Sequence, residues 1–235
     1  MEVIKLLTGG GFGDAAMSIG KLYSKYAPFK VDLENIHLTH VEVGSSLLPV
    51  ISEFYKTQGV DIKTEEIPNW QYKEDIRSQY DYYLGTHWSS NNVGDEYTWE
   101  INPFPYIKYD SIDNIDTVVH ISSGRAEKFR GFTKDEIIEL DNTFNNITFT
   151  GVSNDNFYSD YNFRNSNMVN KTSIQDLVNV LCSCNTFIGY AGFTLFLAGL
   201  AGKDIYGFRD PGDGWEYRVH PLWRVKQVSS IKDIK

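Results

Sequence analysis

The sequence predicts an α/β fold with mainly parallel sheets, arranged as two αβ halves. Strand and helix patterns alternate over residues 3–67 and alternate again over 117–208, while the stretch between them has no persistent period of 3.6 or 2. The chain of 235 residues has room for two domains of modest size. We therefore expect an N-terminal domain at 1–110 and a C-terminal domain at 111–235.

The first half has the order β-α-β-α-β. β-branched and apolar residues predict three strands, at 3–7, 35–43 and 60–67. Apolar residues at helical spacing predict two helices, at 14–26 and 46–58. This alternation is typical of a parallel sheet covered by helices on both faces. The aromatic and polar residues that follow, up to residue 113, predict short elements and loops.

The second half repeats the alternation. Its predicted strands are 117–121, 147–152, 186–189 and 203–208. Its predicted helices are 133–144, 173–182 and 193–200. Thr133 and Glu136 have the spacing of a capping box, which predicts where the first of these helices begins.

Composition excludes several classes of protein. The 22 Lys+Arg and 31 Asp+Glu residues give a net charge of −9, which disfavours a general nucleic-acid coat. The uncharged run 185–202 is too short and too interrupted by glycine and alanine to span a membrane. The chain start lacks a basic signal-peptide region, and Cys182 and Cys184 predict buried, reduced thiols. We expect a cytoplasmic protein, of a bacterium or a virus-infected host.

A glycine-rich turn follows the first predicted strand. Gly11, Gly13 and Ala16 fit the G-x-G-x-x-A pattern, in which glycines let backbone N–H groups approach a ligand. A dinucleotide-dependent oxidoreductase and a turn without a ligand both remain open interpretations. Asp14 argues against a pyrophosphate, because a carboxylate in the first helical turn repels phosphate. It suits instead a general base that faces a cleft.

The oxidoreductase interpretation makes a further demand. It requires an acidic residue about 20 positions on, at the end of the second strand. Asp32 and Glu34 have the right distance but precede that strand, whereas Glu42 ends it and lies too far along. The spacing therefore counts against a dinucleotide cofactor.

Five segments together resemble one known family. They are Gly10-Gly-Phe-Gly-Asp14, Val118-Val-His-Ile-Ser-Ser-Gly124 with Arg125, Lys128 and Arg130 after it, Phe149-Thr-Gly-Val152, Asn170-Lys-Thr-Ser-Ile-Gln-Asp-Leu-Val178, and Phe187-Ile-Gly-Tyr-Ala-Gly-Phe-Thr194. In this order they resemble the heptosyltransferase-like family of inverting glycosyltransferases, typified by ADP-heptose:LPS heptosyltransferases, in a divergent and shortened form. The resemblance implies a GT-B fold of two Rossmann-like domains and the transfer of a sugar from a nucleotide-sugar donor to an acceptor hydroxyl.

The resemblance also implies roles for individual residues. Asp14 matches the general base, and Lys128 matches a basic residue that holds the donor diphosphate. The other donor and phosphate positions are Gly11, Gly13, Ser122, Ser123, Gly124, Arg125, Tyr190, Ala191, Gly192 and Thr194. The nucleoside positions are Thr150, Gly151, Thr172 and Ser173. No cofactor or metal is implied, since such relatives hold the diphosphate with basic side chains and helix ends, and the sequence has no D-x-D motif.

Two departures from the family pattern fall in the donor segment. Tyr190 stands where the family has Asp, and Leu195 stands where it has His. A catalytically inactive module that binds a nucleotide or sugar is therefore a third open interpretation. For an active enzyme, a glycan precursor is the acceptor that the family implies. A modified base in viral DNA is the alternative, with Arg125, Lys128 and Arg130 as local positive charge.

Other candidate residues have structural explanations. His37, His40 and Glu42 suggest a metal site, but His37 faces away from the other two on a strand, so ordinary strand residues are expected. His120 is expected to be a satisfied histidine of the core or its rim. Among the aromatic residues, Trp88, Trp99, Trp215 and Tyr217 are candidates either for contacts with a sugar or for structural packing. Residues 220–223 are expected to cross back towards the first domain.

Overall fold

The computed structural model describes residues 3–28, 35–85, 99–123, 130–208 and 219–234. The chain forms two compact units. The first comprises Met1–Lys108 with Glu216–His220, and the second comprises Tyr109–Trp215 with Pro221–Lys235. Each unit is built on its own parallel sheet, as the predicted α/β fold requires.

The first unit contains a four-stranded parallel sheet in the order β3-β2-β1-β4. Its strands are β1 (Ile4–Gly9), β2 (Ile36–Val43), β3 (Ile62–Ile67) and β4 (Tyr82–Tyr83). Its helices are α1 (Phe12–Leu22), α2 (Leu48–Thr57) and α3 (Trp70–Ile76), with short 3₁₀ turns at Ser45–Leu47 and Arg77–Gln79. Every predicted strand and helix of this half is present.

Helices cover both faces of this sheet. Thr8 of β1 hydrogen-bonds to Ser18 of α1, and His40 of β2 to Tyr55 of α2, so α1 and α2 lie on one face. On the other face, Leu7 packs in a buried cluster with Ile76 of α3. Because alternate strand residues point to opposite faces, the apolar positions of β1 and β2 serve both helical layers.

The second unit contains a six-stranded parallel sheet in the order β12-β11-β10-β5-β8-β9. Its strands are β5 (Thr117–His120), β8 (Ile147–Thr150), β9 (Ser166–Asn167), β10 (Thr186–Tyr190), β11 (Asp204–Phe208) and β12 (Val225–Val228). A separate antiparallel pair consists of β6 (Ser122–Ser123) and β7 (Arg130–Gly131). The helices are α4 (Lys134–Thr143), α5 (Phe157–Asp160), α6 (Ile174–Ser183) and α7 (Phe193–Leu200). Numbered along the chain, the six parallel strands have the 3-2-1-4-5-6 order of a Rossmann fold.

Helix α1 ends at Leu22, before the predicted end at residue 26. The reason is a segment from much later in the chain. Trp99 Nε1 donates to the Lys21 carbonyl at 2.8 Å, and Asn102 N donates to the Gly20 carbonyl at 2.8 Å. Carbonyls of the last turn, which a longer helix would use itself, are satisfied by this tertiary contact.

Five short strands, β4, β6, β7, β9 and β12, have no counterpart among the predicted elements. The strand β12 is an edge strand whose central residues are Lys226 and Gln227, so it has no apolar alternation to detect. Near β9, the position of the chain depends on Asp141, a fully buried carboxylate of α4. Asp141 accepts hydrogen bonds from the backbone N–H groups of Arg164 and Asn165, at 2.9 and 3.0 Å.

Membrane insertion of a helix finds no support in the part of the chain that the structure describes. None of the helices there is long and apolar enough to cross a bilayer.

Candidate active site

The glycine turn connects β1 to α1 in the first unit. Gly10 has φ of +116°, a conformation that strongly favours glycine. A Cβ atom on Gly10 would lie 2.3 Å from Asp14 Oδ2, and a Cβ on Gly9 would lie 2.9 Å from the Val41 carbonyl. A side chain at Gly10 would push the turn away from Asp14, and a side chain at Gly9 would push it away from Val41. Glycine is therefore required here by geometry, whether or not a ligand binds.

Asp14 lies in the first turn of α1, partly buried. Its Oδ2 accepts a hydrogen bond of 2.7 Å from the backbone N–H of Gly11, the residue that caps the helix. This bond satisfies one of the N–H groups that a helix start leaves without an intrahelical partner. It also places a fixed negative charge where a dinucleotide pyrophosphate would require the same N–H group. Gly13, the second glycine of the pattern, lies within α1.

The turn lies where the strand order of the first sheet reverses. β1 has β2 on one side and β4 on the other, with α1 and α3 on opposite faces. In open α/β sheets, ligands bind outside the carboxyl ends of the strands at such a reversal. Asp14 therefore lies at the position in this unit where topology favours a ligand.

The histidines of β2 are separated as strand geometry predicts. His37 is exposed, whereas His40 and Glu42 are fully buried on the opposite face. Burial lowers the pKa of His40 to about 4. Within the described segments, no group of three or more His, Cys, Asp or Glu side chains is arranged to hold a metal ion.

The second sheet reverses its strand order between β5 and β10. The chain leaves β5 through Ile121 and Ser122, and it leaves β10 through Ala191 and Gly192, which caps α7. Both exits are at the carboxyl ends of parallel strands, so the two loops emerge at the same sheet edge. The predicted donor residues that follow β10 lie at this edge. So do Ser122 and Ser123, the predicted donor residues after β5 that lie within the described segments.

The two residues that depart from the family pattern have different surroundings. Tyr190, at the end of β10, is partly buried, with its ring centroid 5.3 Å from that of Phe132 and 5.4 Å from that of Phe208. Leu195 is fully buried within α7. Thr194 is only 3% exposed, so its hydroxyl contributes little to the surface of the unit. Ala191 and Gly192 are the more accessible predicted donor residues of this segment.

The predicted nucleoside residues follow β8 and precede α6. Thr150 is fully buried, and its Oγ1 is 3.1 Å from His120 Nδ1. Gly151 has φ of +130°, and a Cβ there would lie 2.6 Å from Ile121 Cγ1. Thr172 is partly buried, and Ser173 caps α6 with its hydroxyl 2.7 Å from Asp176 Oδ2. Three of these four residues therefore also have a structural role.

Several predicted residues lie outside the described segments. Among them are Gly124, Arg125 and Lys128 of the donor site, the acidic candidates Asp32 and Glu34, and the aromatic residues Trp88, Trp215 and Tyr217. Ser123 and Arg130 are described as backbone only, in the pair of β6 with β7.

The remaining candidates are structural. Trp99 is buried and its indole donates to the Lys21 carbonyl, which places it in the core of the first unit. His120 is hydrogen-bonded, and burial lowers its pKa to about 4. Of the segment expected to cross back, His220 belongs to the first unit, with Nε2 3.4 Å from Glu100 Oε1. Trp223 instead belongs to the second unit, where it packs against Gly199.

The fold is that of the GT-B glycosyltransferases. No protein-family profile matches the chain, and no curated protein is similar to it in sequence. Solved structures are similar in fold. One is a glycosyl transferase of family 9 from Veillonella parvula, with 9% identity and a TM-score of 0.58 over 97% of this chain and 87% of that chain.

Two further structures show how widely the fold is used. The E. coli heptosyltransferase WaaC with ADP-2-deoxy-2-fluoro heptose has 8% identity and a TM-score of 0.53, over 96% of this chain and 93% of that one. A protein of Listeria monocytogenes that bears the name putative UDP-N-acetylglucosamine 2-epimerase has 10% identity and a TM-score of 0.53, over 89% of this chain and 80% of that one. The predicted resemblance to heptosyltransferases is confirmed at the level of the fold.

Burial of neutral His40 predicts a dependence of stability on pH. Its pKa falls from 6.5 to about 4 on folding, so between these values the unfolded chain binds more protons and stability decreases as the pH falls. At pH 5 the loss attributable to His40 is about 2 kcal/mol relative to pH 7. The free energy of unfolding, measured with urea at several pH values between 5 and 7, should change less with pH in the His40→Gln variant than in wild type. The variant His37→Gln, at an exposed position, should keep the wild-type dependence of stability on pH. If His40→Gln also keeps it, the dependence does not come from His40.

Proposed function

We propose that this protein is an inverting glycosyltransferase that moves a sugar from a nucleotide-sugar donor to an acceptor hydroxyl, with Asp14 as general base. The observation that carries the proposal is the position of Asp14. This carboxylate is held in the first turn of α1, at the reversal point of a parallel sheet, in a fold shared with known glycosyltransferases. Fold alone does not determine the reaction, so the proposal depends on this residue.

The proposed reaction is a single displacement. Asp14 takes the proton of the acceptor hydroxyl while that oxygen forms a bond to the anomeric carbon. The bond from the anomeric carbon to the diphosphate oxygen breaks, and the nucleoside diphosphate leaves with the electron pair. One displacement inverts the anomeric configuration and needs no covalent nucleophile. A carboxylate accepts up to about four hydrogen bonds, so the bond from Gly11 is compatible with a second bond from the acceptor.

The donor is assigned to the second unit. Ser122, Ala191 and Gly192 are at its reversal point, and backbone N–H groups at a helix start favour phosphate. Arg125 and Lys128 are proposed to neutralise the diphosphate, in a reaction that uses no metal or other cofactor. The ADP-sugar bound by WaaC supports a nucleoside diphosphate sugar as the donor class. The net charge of −9 favours a glycan acceptor over a nucleic acid.

A nucleotide- or sugar-binding module without catalysis is the second candidate. It is favoured by Leu195, because a fully buried leucine supplies no polar group to a donor. The dinucleotide-dependent oxidoreductase is disfavoured, because Asp14 Oδ2 accepts from the Gly11 N–H group that a pyrophosphate would require.

Ligand-induced stabilisation separates these candidates by what they bind. We expect one nucleoside diphosphate, or its sugar conjugate, to raise the melting temperature in a thermal-shift series of UDP, GDP, ADP, CMP and NAD(P)H. At 100 times its dissociation constant, such a ligand adds about 2.7 kcal/mol to the stability of the folded state. Stabilisation by NAD(P)H alone would contradict the transferase.

Replacing Asp14 by Asn separates catalysis from binding. The amide oxygen of Asn can still accept from Gly11 N–H but cannot accept a proton, so turnover should fall by about 10²–10⁴. Binding of the donor nucleotide should be unchanged, because the donor is assigned to the second unit. Turnover is measured as nucleoside diphosphate release with the donor identified by thermal shift.

The matched control is Asp75→Asn, an exposed carboxylate of α3 in the same unit. It should retain wild-type turnover and stability. If Asp14→Asn has the same turnover as this control, Asp14 is not the base.

A further inference from the structure

A buried polar network lies beneath the glycine turn. Thr8 of β1, Ser18 of α1, His40 of β2 and Tyr55 of α2 are all fully buried. Thr8 Oγ1 is 2.7 Å from Ser18 Oγ, and His40 Nδ1 is 3.3 Å from the Tyr55 hydroxyl oxygen. Four elements of the first unit thus contribute polar side chains to one enclosed cluster, although burial of polar groups is unfavourable unless each is hydrogen-bonded.

Donor and acceptor chemistry fixes the protonation of His40. Its Nε2 is 2.9 Å from the Gly10 carbonyl oxygen, which can only accept, so Nε2 carries the proton. Its Nδ1 is 3.3 Å from Tyr55 Oη. In the neutral imidazole, Nδ1 is an acceptor, so the Tyr55 hydroxyl donates to it. Burial lowers the pKa of His40 and raises that of Tyr55, so both groups are neutral at pH 7.

The network reaches Asp14 by two routes. Ser18 Oγ donates to the Asp14 backbone carbonyl at 3.0 Å. His40 binds the carbonyl of Gly10, the residue before Gly11, whose N–H donates to Asp14 Oδ2. Tyr55 hydrogen-bonds to His40, so the second route continues from the turn through β2 to α2. These contacts connect the turn to the rest of the first unit.

We infer that His40 and Tyr55 are positioning residues for Asp14, which hold the Gly10–Gly11 turn so that the Asp14 carboxylate keeps one orientation. The effect on catalysis rests on the proposed function, whereas the effect of His40 and Tyr55 on the position of the turn does not. Gly10 has φ of +116° and no side chain, so only its backbone groups can hold it in place. Its N–H donates to the Val41 carbonyl at 3.1 Å, and the hydrogen bond from His40 adds a second restraint at its carbonyl. Misplacement of a catalytic group by about 1 Å can slow an enzyme by about 10²-fold.

The experiment compares four variants of the full chain by two readouts. Tyr55→Phe removes only the hydroxyl, His40→Leu removes both hydrogen bonds, and His40→Gln restores a donor. His37→Gln, on the exposed face of the same strand, is the matched control. The first readout is hydrogen exchange of the Gly11 amide by NMR, which needs no substrate. The second is kcat and KM for the donor that thermal shift identifies.

The expected result is a local effect. In Tyr55→Phe and His40→Leu, exchange of the Gly11 amide should accelerate by about tenfold relative to the amides of β2. In the same variants kcat should fall by about tenfold, with KM for the donor unchanged. His40→Gln should restore most of the protection of the Gly11 amide and most of kcat. His37→Gln should match wild type in both.

Two results would overturn the inference. One is unchanged exchange of Gly11 in Tyr55→Phe, which is the decisive variant if His40→Leu does not fold. The other is equal acceleration of all amides of the first unit, since this indicates a general contribution to stability. If Gly11 responds as expected but no nucleotide sugar is turned over, the coupling stands and the proposed transferase fails.

Discussion

The hydrogen bond from Gly11 N–H to Asp14 Oδ2 is the interaction on which the proposed site depends. This bond requires a hydrogen-bond acceptor such as a carboxylate three residues after Gly11, in the first turn of α1. It also requires glycine at position 10, where a Cβ atom would lie 2.3 Å from Asp14 Oδ2. The same bond holds the proposed base and satisfies the start of its helix. It also gives a physical reason why a glycine pattern that resembles a dinucleotide fingerprint disfavours a dinucleotide here. Where a pyrophosphate would bind, the protein supplies its own negative charge.

Strand order determines where the two halves of the proposed chemistry lie. Each sheet reverses its order once, at β1 and β4 in the first unit and at β5 and β10 in the second. The proposed base, Asp14, lies at the reversal in the first unit, and the proposed donor loops lie at the reversal in the second. In open α/β sheets, ligands bind outside the carboxyl ends of the strands at such reversals. The similarity to glycosyltransferases and to an epimerase-like structure shows that this arrangement supports more than one reaction, so Asp14 and the donor loops carry the assignment.

The sequence predicted the elements that local rules determine. The capping box at Thr133 begins α4, and strand alternation correctly separates His37 from His40. It did not predict the role of His40. Alternation indicates which face a side chain occupies but not its partners. Those depend on the register that sets His40 beside Thr8 and on the packing of α2, which brings Tyr55 to the same place. The local signal is limited to a histidine in a predicted strand, followed by a tyrosine in the next predicted helix.

The anomeric configuration of the first product tests the central claim most directly. The proposed single displacement, with Asp14 as base and no covalent intermediate, requires inversion at the transferred anomeric carbon. NMR of the product formed in the first turnovers, before any equilibration, reports this configuration through the coupling of the anomeric proton. We predict a product of opposite configuration to the donor. A product that retains the donor configuration would contradict the single displacement, and with it the role of Asp14 as the only catalytic carboxylate.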